Sequence, residues 1–160
     1  MATQELQEVK VGTIRPLDST PTLVKGQARD YVKITGNTTL TAAQSGSVVG
    51  LAVAAGATVT LPALSNYSKC LEFEFVVVTN CTSNSYIINT ASSSDKFIGG
   101  FNELETDTGD DGPSDTGTAV TITLGNATDT VGDSFRLLSI DGRKWLVRGQ
   151  TALDGGAAFS

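Results

Sequence analysis

Two arrangements of carboxylates in this sequence could carry chemistry, and the first is a pair of glutamates. Glu72 and Glu74 lie two residues apart in the segment 71–78, where alternating apolar residues predict a strand. Residues i and i+2 of a strand share a face, so both carboxylates would point the same way. A glycosidase needs its two carboxylates on opposite sides of a cleft, as a rule from different elements. The spacing therefore indicates a solvated strand face rather than an acid–base pair.

The second arrangement is the acidic segment 102–118, NELETDTGDDGPSDTGT. Clustered aspartates would suit calcium, because hard cations prefer oxygen ligands. A calcium loop of the EF-hand type has glycine at its sixth position. Placing Gly112 there puts Gly109 at the third position and Thr118 at the last, and neither side chain has a carboxylate. We expect a solvated surface loop and no metal site, with uptake of a cation left open.

The sequence lacks the residues that usually activate a catalytic nucleophile. The chain has no histidine, which excludes Ser-His-Asp and Cys-His arrangements and imidazole metal sites. It has no phosphate loop and no dinucleotide fingerprint, and Cys70 and Cys81 are too far apart for a Cys-x-x-Cys motif. We expect no enzyme and no cofactor. Two free thiols are favoured, with a Cys70–Cys81 disulfide as the alternative.

Charge and length narrow the class of partner. The 160 residues fit one domain, and a net charge of -6 argues against nucleic acid, whose phosphates are bound by Lys and Arg. No run approaches the roughly 18 apolar residues of a membrane span. The first ten residues, MATQELQEVK, lack the features of a secretory signal, so we expect synthesis in the cytoplasm and no membrane partner.

The elements that must position these residues are short strands. The stretch 38–64 organises the rest, with two strands that turn Val49 and Leu51, then Val59 and Leu61, toward a core. About ten such strands are separated by Gly, Asn, Asp and Ser, and no helical periodicity is present. We expect an all-β fold: a single-domain antiparallel β-sandwich or barrel, jelly-roll-like, with an extended N-terminal arm.

Local signals set the boundaries within this fold. Asp141-Gly142 predicts a tight two-residue hairpin turn, and Trp145 just after it is expected to anchor the core. The short strand that begins at Lys96 is expected to end at Gly99-Gly100. We assign the sandwich or barrel to residues 31–150. Residues 151–160 show no pattern and are taken as a C-terminal tail.

Residues 1–30 differ from the rest of the chain. Apolar residues recur there at strand-like spacing, and two prolines favour extended geometry. The segment is either a poorly ordered terminus or an arm that adds a strand to a neighbouring subunit or partner. If it is an arm, the candidate residues for contact with a partner surface or a sister subunit are Val9, Val11, Ile14, Arg15 and Leu17.

Four segments together resemble a recurrent module of tailed-bacteriophage virion proteins. They are LTAAQSG (40–46), AGATVTLP (55–62), FEFVV (73–77) and the run 131–147, VGDSFRLLSIDGRKWLV. The likeness extends from about Ile34 to Gly149. The acidic segment 102–118 and the N-terminal arm depart from the pattern of this family.

The resemblance implies a capsid decoration (cement) protein, a structural protein of the virion that lies on the capsid surface. Such proteins typically bind the major capsid protein lattice as homotrimers and staple neighbouring subunits together. The contact residues of the arm named above would then touch the capsid or a sister subunit. The alternative is a receptor- or carbohydrate-binding module of a head or tail fibre, for which aromatic side chains would be exposed together on one surface.

Overall fold

The computed structural model describes residues 29–64, 70–104, 112–140 and 143–160. Within these ranges the chain forms twelve strands and one 3₁₀ turn at Ala42–Gln44. The strands are β1 (Tyr31–Ile34), β2 (Thr38–Thr39), β3 (Val48–Leu51), β4 (Ala57–Thr60), β5 (Glu72–Val77), β6 (Tyr86–Asn89), β7 (Lys96–Glu103), β8 (Ser114–Asp115), β9 (Thr121–Leu124), β10 (Ser134–Ile140), β11 (Lys144–Thr151) and β12 (Ala157–Phe159).

Two sheets enclose one core. Sheet A has seven strands in the order β1-β3-β5-β10-β11-β7-β8, and sheet B has five in the order β12-β9-β6-β4-β2. Along most strands of both sheets, every second side chain is buried, which is the alternation expected of a strand with one covered face. The all-β sandwich expected from the sequence is therefore confirmed.

The sheets are mixed, whereas the sequence suggested antiparallel, jelly-roll-like pairing. From β1 to β6 the chain alternates between the sheets, so β1, β3 and β5 are parallel neighbours in sheet A and β2, β4 and β6 are parallel neighbours in sheet B. Parallel neighbours need a crossover connection, and here a strand of the opposite sheet supplies it. The β10–β11 hairpin then enters sheet A between β5 and β7, which adds antiparallel pairs.

The stretch 38–64 contains β2, β3 and β4, over which the chain alternates between the two sheets. Val49 and Leu51 of β3 and Val59 and Leu61 at the end of β4 all have 0% exposure, as expected. However, β3 and β4 lie in opposite sheets, so they face each other across the core instead of pairing. The Tyr86 hydroxyl secures the connection between them, because it receives the Val53 N–H at 2.9 Å and lies 2.8 Å from the Thr79 carbonyl.

The β10–β11 hairpin is confirmed, with a longer loop than expected. Ile140 lies opposite Lys144, which leaves residues 141–143 in the connection rather than two residues. Residues 141–142 are outside the described ranges. Arg143 has φ +60°, as in three-residue hairpin loops that end in a left-handed residue. Trp145 is fully buried and lies 6.0 Å from the Phe73 ring centre, so it anchors the core as expected.

Two further segments differ from expectation. β7 does not stop at Gly99-Gly100 but runs on to Glu103. The segment 151–160, left without an element, contains β12, which pairs with β9 and buries Ala157. No helix in the described ranges is long and apolar enough to cross a membrane.

Candidate functional site

The outer face of sheet A carries most of the described positive charge. Five of the seven described Lys and Arg residues project from it, together with only two acids, Glu72 and Glu74. An apolar row that consists of Ile98, Leu138 and Leu146 crosses the middle of this face. The five cations are Lys33, Lys96, Arg136, Lys144 and Arg148.

The outer face of sheet B has the opposite character. None of its strands contains a charged residue, and its outward positions are mainly threonines such as Thr58, Thr60, Thr121 and Thr123. At about 16 Å² of sheet per residue, the strands of sheet A cover roughly 600 Å² and those of sheet B roughly 300 Å². Sheet A therefore offers the larger face and the one with charge for recognition.

The glutamate pair is held in ion pairs on this face. Glu72 Oε2 lies 2.7 Å from Arg136 Nη2, and Glu74 pairs with Arg29 Nη1. Both glutamate side chains are about a third exposed, and both project outward from the same strand. No second carboxylate faces them across a cleft in the described residues. The geometry fits the solvated-face interpretation and offers no acid–base pair.

Asp115, the described aspartate of the acidic segment, already has its partners. Its carboxylate accepts the Gly117 and Thr118 N–H groups at 2.7 Å, the Ala119 N–H at 3.1 Å and the Thr118 hydroxyl at 2.8 Å. Burial raises the pKa of this carboxyl, but the hydrogen bonds outweigh burial and lower the pKa to about 2. The carboxylate organises a turn and leaves little capacity for a cation.

Residues 105–111, with Asp107, Asp110 and Asp111, lie outside the described ranges. Across the described part of the chain, no group of three or more Cys, Asp and Glu side chains is placed to hold a metal ion. The buried carboxylates that are present bind main chain. Asp129 accepts the Cys81 N–H at 2.8 Å, and Asp133 accepts the Thr130 and Ala152 N–H groups. Burial raises the pKa of Asp133.

The two thiols are free, as favoured from the sequence, and their surroundings differ. Cys81 is 4% exposed, and burial together with the nearby Asp129 carboxylate raises its pKa to about 12. Cys70 is exposed. Because the thiolate is the reactive form, Cys81 combines poor access with little thiolate.

We expect one thiol per folded chain to react with iodoacetamide at pH 8, with Cys81 at least about 100-fold slower than Cys70. Mass spectrometry of intact protein over time measures this. Cys70→Ser should leave the folded chain unlabelled, and guanidinium should expose both thiols in the wild type. Equal labelling of both thiols in the folded state would contradict the placement of Cys81.

Aromatic side chains do not form an exposed platform on the described surface. Trp145 and Tyr86 have 0% exposure, while Tyr31 is 55% exposed and lies on the edge strand β1. The ring of Tyr31 covers Gly50, where an added Cβ would lie 2.0 Å from its hydroxyl oxygen. Tyr67 is outside the described ranges. The arrangement is unlike a sugar-stacking surface, which needs several exposed rings together.

The candidate contact residues of the arm, Val9, Val11, Ile14, Arg15 and Leu17, all lie outside the described ranges, so their role stays a prediction. The described chain begins at Arg29, which donates from Nε to the Gly46 carbonyl at 2.7 Å and pairs with Glu74. The arm is therefore joined to the body beside the outer face of sheet A.

Sequence reasoning missed the cations of that face, because strand order decides which of them are neighbours.

No family model, no curated protein and no solved structure matches this chain.

Proposed function

We propose that this chain is a non-enzymatic virion structural protein that decorates and stabilises a bacteriophage capsid by binding the major capsid protein lattice as a homotrimer. The observation that carries the proposal is the outer face of sheet A, a broad sheet surface with five cations and an apolar row. The sequence likeness of residues 34–149 to a phage virion module supports the same role.

The size of this face fits attachment to a lattice. A standard protein interface buries about 800 Å² on each partner, and sheet A offers roughly 600 Å², so one contact alone would be weak. A trimer that makes three such contacts on a symmetric shell gains affinity through effective concentration. Binding of this kind needs complementary surfaces and no reactive group.

The alternative, a receptor- or carbohydrate-binding module of a fibre, has weaker support. Sugar recognition by stacking would use exposed aromatic rings, and among the described residues the large rings are buried except for Tyr31. Cryo-electron microscopy of the phage particle separates the two roles. Density for this chain on the shell is expected, whereas density confined to the fibres would favour the alternative.

The arm supplies a direct test of the attachment. Deletion of residues 1–20 is expected to lower occupancy on purified shells at least about tenfold, because apolar anchors contribute strongly to an interface. Occupancy can be measured by co-sedimentation of purified protein with shells that lack it. The truncated chain keeps Arg29 and the whole sandwich, so its melting temperature should match that of the full chain. Unchanged occupancy would remove the arm from the mechanism.

A further inference from the structure

Two arginines of sheet A face each other directly. In the antiparallel β10–β11 pair, Arg136 lies opposite Arg148, and both are exposed on the outer face. Like charges at directly opposite positions destabilise a sheet. Places where a chain departs from such a local rule are candidates for function.

The two arginines differ in their counter-charges. Arg136 Nη2 pairs with Glu72 Oε2 at 2.7 Å. Arg148 makes no ion pair or hydrogen bond with the described residues, and the position beside it on β7 is Gly100. A glycine there leaves the guanidinium without a neighbouring side chain on that side. Arg148 thus keeps its hydrogen-bond donors available to another molecule.

The surface around Arg148 is uneven. Arg148 lines two shallow depressions of about 560 and 480 Å³. The first is also bordered by Gly100 and Leu146, and the second by Arg136 and by Glu74, which is paired with Arg29. Leu138 and Leu146 lie next to the two arginines and supply apolar contact. A guanidinium beside apolar side chains is a common composition for the centre of a protein interface.

We propose that Arg148, supported by Arg136 and by the apolar pair Leu138 and Leu146, is the centre of the docking surface and binds a carboxylate on an acidic protein surface. This proposal rests on the proposed function, in which the partner is the major capsid protein. Charge complementarity identifies the chemistry of the partner. The whole chain carries -6, yet this face has five cations against two glutamates, and both glutamates are already paired.

A protein carboxylate fits this surface better than nucleic acid does. A nucleic-acid backbone is bound by several cations that follow its phosphates. Here Arg148 is flanked by leucines on the same face, and the neighbouring Arg136 is committed to Glu72. An arginine fork matches one carboxylate through two parallel hydrogen bonds.

The test measures binding of the full chain to purified capsid shells that lack it. Arg148→Glu is expected to weaken binding about 30-fold or more, because it places like charges across the contact. Arg148→Gln, which removes the charge without reversing it, should weaken binding less. The control is the double variant Ala127→Glu with Ala158→Glu, which changes net charge equally at exposed positions outside sheet A. It should bind within about twofold of the wild type, since charge away from the contact has little effect on affinity.

The other possible outcomes would contradict the docking centre, the proposed function or the assigned partner. If the wild type binds and Arg148→Glu binds equally well, the docking centre is wrong and the proposed function stands. If the wild type does not bind shells, the proposed function fails, and with it the assigned partner. Binding of double-stranded DNA that Arg148→Glu abolishes would identify a nucleic acid instead. A change in sedimenting mass between the wild type and Arg148→Glu would identify a second copy of this chain as the occupant.

Discussion

Gly99→Ala is expected to destabilise the domain by about 4 kcal/mol or more, a large part of the stability of a domain of this size. Gly99 lies within β7 between β11 and β8, with φ +110°, a conformation that L-residues rarely adopt. A Cβ at this position would lie 2.2 Å from the Val147 carbonyl oxygen, which is main chain and cannot move away cheaply. Strain and clash therefore act together.

Gly132→Ala separates these two causes. Gly132 has φ +102°, close to the value at Gly99, but a Cβ there would meet nothing within 4 Å. The expected cost is about 1–2 kcal/mol, from backbone strain alone. Gly36→Ala, with open space and no positive φ, should change stability by less than about 0.5 kcal/mol. Urea unfolding at 25 °C followed by circular dichroism measures all three. Equal losses of stability for Gly99→Ala and Gly132→Ala would show that the clash with the Val147 carbonyl adds nothing to the cost of backbone strain.

The same glycine shows where sequence reasoning stopped short. Gly99-Gly100 was expected to end a strand, because glycine pairs usually mark turns. In the structure both lie in the middle of β7, and a Cβ at Gly100 would be 2.7 Å from the Pro113 carbonyl oxygen. Glycine permits this close approach of β8 and β11, but nothing in the sequence names the neighbouring strands. At Gly99 and Gly100 neighbouring main chain leaves no room for a Cβ, but the sequence does not identify that neighbour.

The hairpin register explains why the arginine pair was not predicted. A two-residue turn at Asp141-Gly142 would place Arg136 opposite Val147, whereas the observed three-residue connection places it opposite Arg148. Directly opposite residues share a face, so a two-residue turn would have set the buried Leu137 against the outward Leu146. The burial pattern of both strands thus contains the information to choose the longer loop. The turn dipeptide gave a local preference, and packing of the core decided the register.

The parallel direction of neighbouring strands was not predicted from the sequence, for a related reason. The alternation of Val49 and Leu51 with small residues fixes the inward face of β3, and the same holds for Val59 and Leu61 after the reversal. Two strands that both face a core are compatible with a hairpin in one sheet or with an arch between two sheets. Only the long-range partners of β3, which are β1 and β5, decide for the arch and the parallel winding.

Arg143→Ala is expected to cost about 2–3 kcal/mol, because it leaves a buried carboxylate without its counter-charge. Asp95 has 0% exposure, and its Oδ1 accepts the Arg143 Nε–H at 2.7 Å while its Oδ2 accepts the Leu64 N–H at 3.1 Å. Arg143 is 40% exposed, so water reaches part of the pair, and we place the loss below that of a fully buried ion pair. The contact ties the start of β7 to the start of β11, which are parallel neighbours.

A double-mutant cycle tests the pair itself. In an Asp95→Asn background the carboxylate charge is gone, so Arg143→Ala should cost less than about 1 kcal/mol there. Arg136→Ala is the matched control, because it removes an arginine from the exposed pair with Glu72, where solvent screens the charges and no measurable loss is expected. If Arg143→Ala costs the same in both backgrounds, the arginine side chain stabilises the fold through contacts other than its ion pair with Asp95. Arg143→Gly removes the same side chain and also relieves the backbone strain at φ +60°, so it should be more stable than Arg143→Ala in either case. If the ion pair dominates, both variants should be less stable than the wild type, and the loss should disappear when Asp95 is neutral.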